Sequence, residues 1–327
     1  MRVLLLALSA ALLTACGGGS KDSTTPIDPG TQVVKAGIYV TTANNTVRVF
    51  PLTATGNVAP SRIIAGTNTG LSLPIGIGLD SKGSIYVANR TGSTITVYPI
   101  GANGNIAPTR SLTDTAMKSP QALIVDRNDA VFAVSCPNCG SAAGGATGLF
   151  HFPNGANAID YFIRGANTAM SVPAGVGLDG SLNVFVANAF GGTVNVYAPG
   201  ASGNTLPIRS FNPGASQNIQ AMFVSSNTIT LTSPTQGILT YLNSSGSGAI
   251  PSATIPRTAT LPISYPGGVF LDTSVPQPVL YIVDYSGNAI YVAQTAGTAP
   301  NLSVTTVATI SGAATGLSAP LGITVVH

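Results

Sequence analysis

The sequence has no glutamate and no tryptophan, and only two histidines, His151 and His327. All ten acidic residues are aspartates, and charged residues make up 7% of the chain. The net charge is +3, with the basic residues scattered singly. That leaves no basic patch for a nucleic-acid backbone, and nucleic acid is excluded as a partner class. A Ser-His-Asp hydrolase is excluded on similar grounds, since no nucleophile-elbow motif is present. Long apolar runs are also scarce. Val3–Leu13 spans 11 residues, well short of the ~20 a helix needs to cross a bilayer. What the chain does hold is 44% apolar residues, 38 glycines, 23 prolines and many Ser, Thr and Asn. That apolar share argues against disorder.

Arg2 followed by Val3–Leu13 reads as the charged and apolar parts of an export signal. The run ends in Leu13-Thr14-Ala15-Cys16. This resembles the lipobox of bacterial lipoproteins, in which small residues precede an obligate Cys. The resemblance implies cleavage after Ala15, a thioether diacylglycerol on Cys16 and further N-acylation, with palmitate a typical chain. Two or three acyl chains anchor stably where one does not. Gly17 in place of Asp favours the outer membrane or cell surface over the inner membrane. Residues 1–15 are therefore expected as signal peptide and 16–34 as lipidated Cys and tether. Gly17–Gln32 is rich in Gly, Ser, Thr and Pro, and its r.m.s. span is about 20–25 Å.

Residues 35–327 carry an internal repeat. One segment recurs as Pro74–Asp80, Pro120–Asp126, Pro173–Asp179, Ile219–Ser225, Pro266–Asp272 and Pro320–Val326. The spacings are 46, 53, 46, 47 and 54 residues. Its third residue is always small (Gly76, Ala122, Gly175, Ala221, Gly268, Gly322), and its fourth and sixth are apolar. That alternation predicts a strand. A second strand follows each segment, as in Ile85–Asn89 and Val184–Asn188, and then a third, as in Ile95–Tyr98 and Val194–Tyr197. Pro108-Thr-Arg110 and Pro207-Ile-Arg209 mark a fourth, where Pro and Arg suit an outer edge.

Four short strands per repeat of this length specify a β-propeller blade. The N-terminal piece supplies strands two to four of a blade, and Pro320–Val326 supplies a lone first strand. Together they complete a sixth blade. The expected fold is all-β: a six-bladed propeller of four antiparallel strands per blade, closed by pairing 320–326 with the N-terminal strands. The pattern at Pro74–Asn89 and Pro173–Asn188 resembles the NHL-repeat and related six-bladed propellers. The resemblance covers residues 35–327 and implies a fold that serves both enzymes and binding modules.

On such a ring Asp80, Asp126, Asp179 and Asp272 fall in turns of one face, the bottom, where Asp bonds nearby amides. Six polar residues end the second strands on the top face: Thr42, Asn89, Ser135, Asn188, Ser233 and Asp284. Two readings stand for them, ligand contacts at the channel mouth or turn-starting residues. Related lactonases hold a metal with Glu, Asn and Asp, and this chain departs at the Glu. Asn89, Asn188 and Asp284 form the poorer alternative, an oxygen site for Ca²⁺. Otherwise no cofactor or metal is expected. His151 sits where other repeats carry Val and is read as an inter-blade core residue.

Cys136-Pro-Asn-Cys139 lies in a long top loop. Haem attachment is excluded because Gly140, not His, follows the second Cys. A zinc site, a redox dithiol and a loop-pinning disulfide remain, and the disulfide suits an exported chain. The functional expectation is a monomeric, membrane-anchored, non-catalytic binding or scaffold module with a protein or glycan partner on its top face. The alternative is a metal-assisted lactonase-like hydrolase or lyase at the central channel.

Overall fold

The computed structural model describes residues 36–137, 147–213, 218–246, 249, 251–256, 261–296 and 303–327. The expected signal, Cys16, the tether and Cys139 lie outside the described residues.

Twenty-four strands form six separate four-stranded antiparallel sheets. The first blade is Pro320–Val326, Gly37–Thr42, Thr46–Phe50 and Arg62–Ile64, from the axis outward. The second is Pro74–Leu79, Ile85–Asn89, Thr94–Tyr98 and Arg110–Leu112. The third is Pro120–Val125, Val131–Ser135, Gly148–Phe152 and Tyr161–Arg164. The fourth is Pro173–Leu178, Val184–Asn188, Val194–Tyr197 and Arg209–Phe211. The fifth is Ala221–Val224, Thr228–Ser233, Gly237–Leu242 and Ala253–Ile255. The sixth is Pro266–Asp272, Val279–Asp284, Ala289–Ala296 and Ser303–Ser311. The chain is thus the expected six-bladed propeller.

Closure occurs in the first blade, where Gly37 pairs Val326, Ile38 pairs Val325 and Tyr39 pairs Thr324. Thr41 reinforces the seam. Its Oγ1 accepts the Gly322 N–H at 2.9 Å and donates to the Ile75 carbonyl of the second blade at 2.7 Å. The small third residue of each innermost strand has a definite cause. A Cβ on Gly268 would lie 2.7 Å from the Leu321 carbonyl oxygen, and one on Gly322 would overlap that of Ile75. The crowding comes from the neighbouring blade's backbone, and Ala122 and Ala221 show that a methyl fits at two of the six positions.

The core is six apolar wedges, one between each adjacent pair of blades. A repeated cross-strand row builds the lower half of these wedges. It reads Tyr39–Val49–Arg62, Tyr86–Val97–Arg110 and Phe185–Val196–Arg209 in the first, second and fourth blades. The arginine crosses to the next blade. Arg62 lies over the Tyr39 ring, 5.4 Å from its centroid, and donates to the Ile100 carbonyl at 2.7 Å. Arg110 donates to the Ala156 carbonyl at 2.7 Å, and Arg209 to the carbonyls of Asn243 and Ser245. The Pro-x-Arg cue does mark outer strands, but its arginine joins blades rather than only guarding an edge. A charged donor bonding a carbonyl contributes about 1.5–3 kcal/mol.

A second device sits higher on the rim. Asn57, Asn105 and Asn204 accept the amides of Ala314, Asn68 and Asn167 from the preceding blade at 2.7–2.8 Å. Each asparagine follows a positive-φ glycine (Gly56, Gly104, Gly203). The recurring Ala-x-Gly-Asn in the sequence is its signature.

Candidate functional site

The six residues that end the second strands, Thr42, Asn89, Ser135, Asn188, Ser233 and Asp284, are all fully buried. Asn89 Oδ1 accepts the Ser72 amide at 3.0 Å while its Nδ2 donates to Thr96 Oγ1 at 3.0 Å. Asn188 does the same with the Ser171 amide and Thr193, both at 2.9 Å. Ser135 Oγ accepts the Lys118 amide at 2.9 Å. Asp284 receives three amides, from Ser264 at 2.7 Å, Tyr265 at 2.8 Å and Gly287 at 3.1 Å. Thr42 and Ser233 bond the nearby hydroxyls of Thr46 and Thr235, at 2.6 and 3.1 Å. The ligand-contact expectation is corrected accordingly. Four of these side chains clamp the loop that enters their own blade, and the other two close their own turns.

The same geometry removes the Ca²⁺ reading. Asn89 and Asn188 each commit Oδ1 to a backbone amide and Asp284 commits both carboxylate oxygens, so all three are tied to their own loops. Among the described residues no cluster of three His, Cys or Asp groups is placed to hold a metal ion.

The central channel is narrow, with an apolar waist. Its waist is a ring of the six fourth-position residues: Ile77, Leu123, Val176, Met222, Val269 and Ile323. The space above the waist is about 90 Å³ and the space below about 200 Å³. Gln121 and Gln220 are the polar side chains of the upper part, and Phe223 and Phe270 meet in the lower part with centroids 4.8 Å apart.

The bottom aspartates behave as turn residues. Asp80 Oδ1 accepts the amides of Lys82 and Ser84, and Asp179 Oδ1 those of Ser181 and Asn183. Asp126 repeats the pattern with Asn128 and Ala130. Asp272 adds a contact, its Oδ2 lying 2.5 Å from His327 Nε2. His151 is half-buried rather than a full core residue. Its ring stacks on Tyr161 at 4.4 Å and its Nδ1 lies 2.6 Å from Asp160 Oδ1. Cys136 is buried at the end of its strand, and with Cys139 outside the described residues the disulfide expectation stays as an expectation.

A cavity of about 330 Å³ lies between the fifth and sixth blades towards the bottom. Ser225, Thr228, Thr230, Thr240, Thr273 and Thr295 surround an apolar wall that includes Leu271, Pro278 and Leu280. Among the described residues no charged side chain lines it. The sequence reading missed this cavity: Thr228-Ile-Thr-Leu-Thr232 reads as a strand, and the space forms only with Leu271 and Leu280 opposite.

The top loops carry exposed aromatic rings. Phe190 is 61% exposed and Tyr285 40% exposed. Tyr265 lies beside Tyr285 with centroids 5.9 Å apart, and partial burial together with that neighbour raises its phenol pKa.

No protein-family model and no curated protein matches the chain. Several solved structures are similar in fold. A protein of unknown function from Bacteroides caccae is 9% identical with a TM-score of 0.60, covering 88% of this chain and 97% of that one. A chain of a nidogen/laminin complex is 10% identical with a TM-score of 0.57, at the same coverages. The WD40 β-propeller domain of Doa1 is 11% identical with a TM-score of 0.50, covering 82% of this chain and 79% of that one. At these identities the likeness is one of fold alone.

Proposed function

We propose that this chain is an exported lipoprotein, held on a bacterial outer membrane through lipidated Cys16, whose propeller is a monomeric, non-catalytic module that binds an extracellular glycan. Residues 1–15 serve as signal peptide, 16–34 as anchor and tether, and 35–327 as the module. A Cys136–Cys139 disulfide pins the third blade's top loop.

One observation carries the glycan reading: exposed aromatic rings on the top loops, Phe190 in the fourth blade and the Tyr265–Tyr285 pair in the sixth. Their chain neighbours on the loops include Gly191, Gly192, Ser264, Ser286 and Asn288, all uncharged. Aromatic faces combined with neutral hydrogen-bonding groups suit a neutral sugar chain, whose rings present apolar faces and polar edges. The clamps from Asn89, Asn188 and Asp284 hold those loops in one conformation, which lowers the ordering cost of binding.

The test is binding of the full-length chain to a panel of neutral polysaccharides. Tyr285→Ala and Phe190→Ala are expected to weaken binding by roughly tenfold or more while leaving the melting temperature unchanged, as aromatic contact residues do. Undiminished glycan binding in both variants, or a protein partner on these same residues, contradicts the reading.

A further inference from the structure

Counting back three residues from the polar residue that ends each second strand gives Tyr39, Tyr86, Phe132, Phe185, Thr230 and Tyr281. Five blades place an aromatic ring there, and the fifth blade places a threonine. The paired third-strand residue follows suit. Val49, Val97, Val196 and Val292 stand opposite aromatic rings, and His151 opposite Phe132, whereas Thr240 faces Thr230. Ala253 then replaces the arginine of the row. The five rings are packed within their wedges, with Tyr39, Tyr86, Phe132, Phe185 and Tyr281 each in an apolar cluster between blades. Between the fifth and sixth blades Thr230 and Thr240 stand at the ring's position. Those two line the 330 Å³ cavity instead.

Phe223 stands opposite Thr230 on the innermost strand. It turns to Phe270 and does not line the cavity. At the rim, Thr295 Oγ1 donates to the Pro278 carbonyl at 3.0 Å, and Ser225 Oγ pairs with Thr228 Oγ1 at 2.8 Å. The Thr230 and Thr240 hydroxyls make no hydrogen bond among the described residues.

We infer that this cavity is a binding site for a small, uncharged, single-ring phenol. The ring occupies the place that a Tyr or Phe ring fills in the other wedges, against Leu271, Leu280 and Pro278. Its hydroxyl bonds Thr240, which is able to donate and accept. The volume is at the lower end of ligand pockets, and among the described residues no cation lines it to pair a carboxylate. An apolar cavity of about half this size already takes up benzene. The site is separate from the top face, and its failure leaves the glycan reading untouched.

The test is titration of the full-length chain with p-cresol, followed by calorimetry and melting, with benzoate as the charged comparison. Saturable p-cresol binding is expected, with a rise in melting temperature of about 2–4 °C near ten times the dissociation constant. Benzoate is expected to give neither. Thr230→Tyr fills the cavity from within and is expected to abolish the binding. Thr240→Val keeps the shape, removes one hydroxyl and is expected to weaken p-cresol about fivefold without weakening toluene, the loss of about one neutral hydrogen bond. This second variant keeps the test decisive where the first fails to fold. Absence of saturable binding to the wild type, including occupation of the space by residues 297–302, overturns the inference. So does undiminished binding in either variant.

Discussion

Asp272 shows how a single side chain sets the pH range of the ring. It is 4% exposed and joins the sixth blade to His327. Burial alone would raise its pKa. The bonds from the Ser274 hydroxyl at 2.6 Å and amide at 2.9 Å, with the His327 contact, outweigh burial and hold it below the ordinary carboxylate value. A carboxylate whose folded pKa is lowered stabilises the fold above its unfolded pKa, about 4, and loses that contribution as pH falls through the folded value. Unfolding free energy is therefore expected to decline below about pH 4 more steeply in the wild type than in Asp272→Asn, measured by urea unfolding across pH 2–7. Parallel slopes would remove the assignment. The turn role of this aspartate is legible from its sequence, since Asp opening a tight turn has a local mechanism. The burial of Asn89, Asn188 and Asp284 was not legible. Their partners, Ser72, Ser171 and Ser264, lie 17–20 residues earlier, and no local rule reports that distance.

At the level of elements, the alternating pattern located the strands because each has one face against each neighbouring blade. The outer strand Ser303–Ser311 escaped notice because its sequence has no Pro-x-Arg cue. The hairpin it forms with Ala289–Ala296 is also the longest of the ring. The small residue in each innermost strand was legible, but its cause needed the structure. Gly322→Val is expected to drive a side chain into the Ile75 carbonyl at the seam and to cost roughly 2–5 kcal/mol, the range for buried overpacking and lost strand pairing. Gly180→Val, on a turn where an added Cβ meets nothing within 4 Å, is expected to change stability by less than about 0.5–1 kcal/mol. Urea midpoints of the two variants check this, and equal effects would contradict the crowding argument. The threonine-rich second strand of the fifth blade reads correctly as a strand. Its cavity does not follow from its own residues, since the space exists only with Leu271 and Leu280 opposite.

For the whole molecule, the number of blades was legible because the repeats could be counted and the two incomplete ends summed to one blade. Function was less legible, because propellers of one shape serve many ligands and the surface rings lie in loops outside the repeat. On the proposed function, the propeller meets the membrane only through Cys16. The most direct measurement compares wild type and Cys16→Ser for membrane fractionation, palmitate labelling and melting. The wild type is expected in the membrane fraction with label. The variant is expected to be soluble, unlabelled and to melt at the same temperature. A Cys16→Ser chain that stays with the membrane while folded would contradict the account.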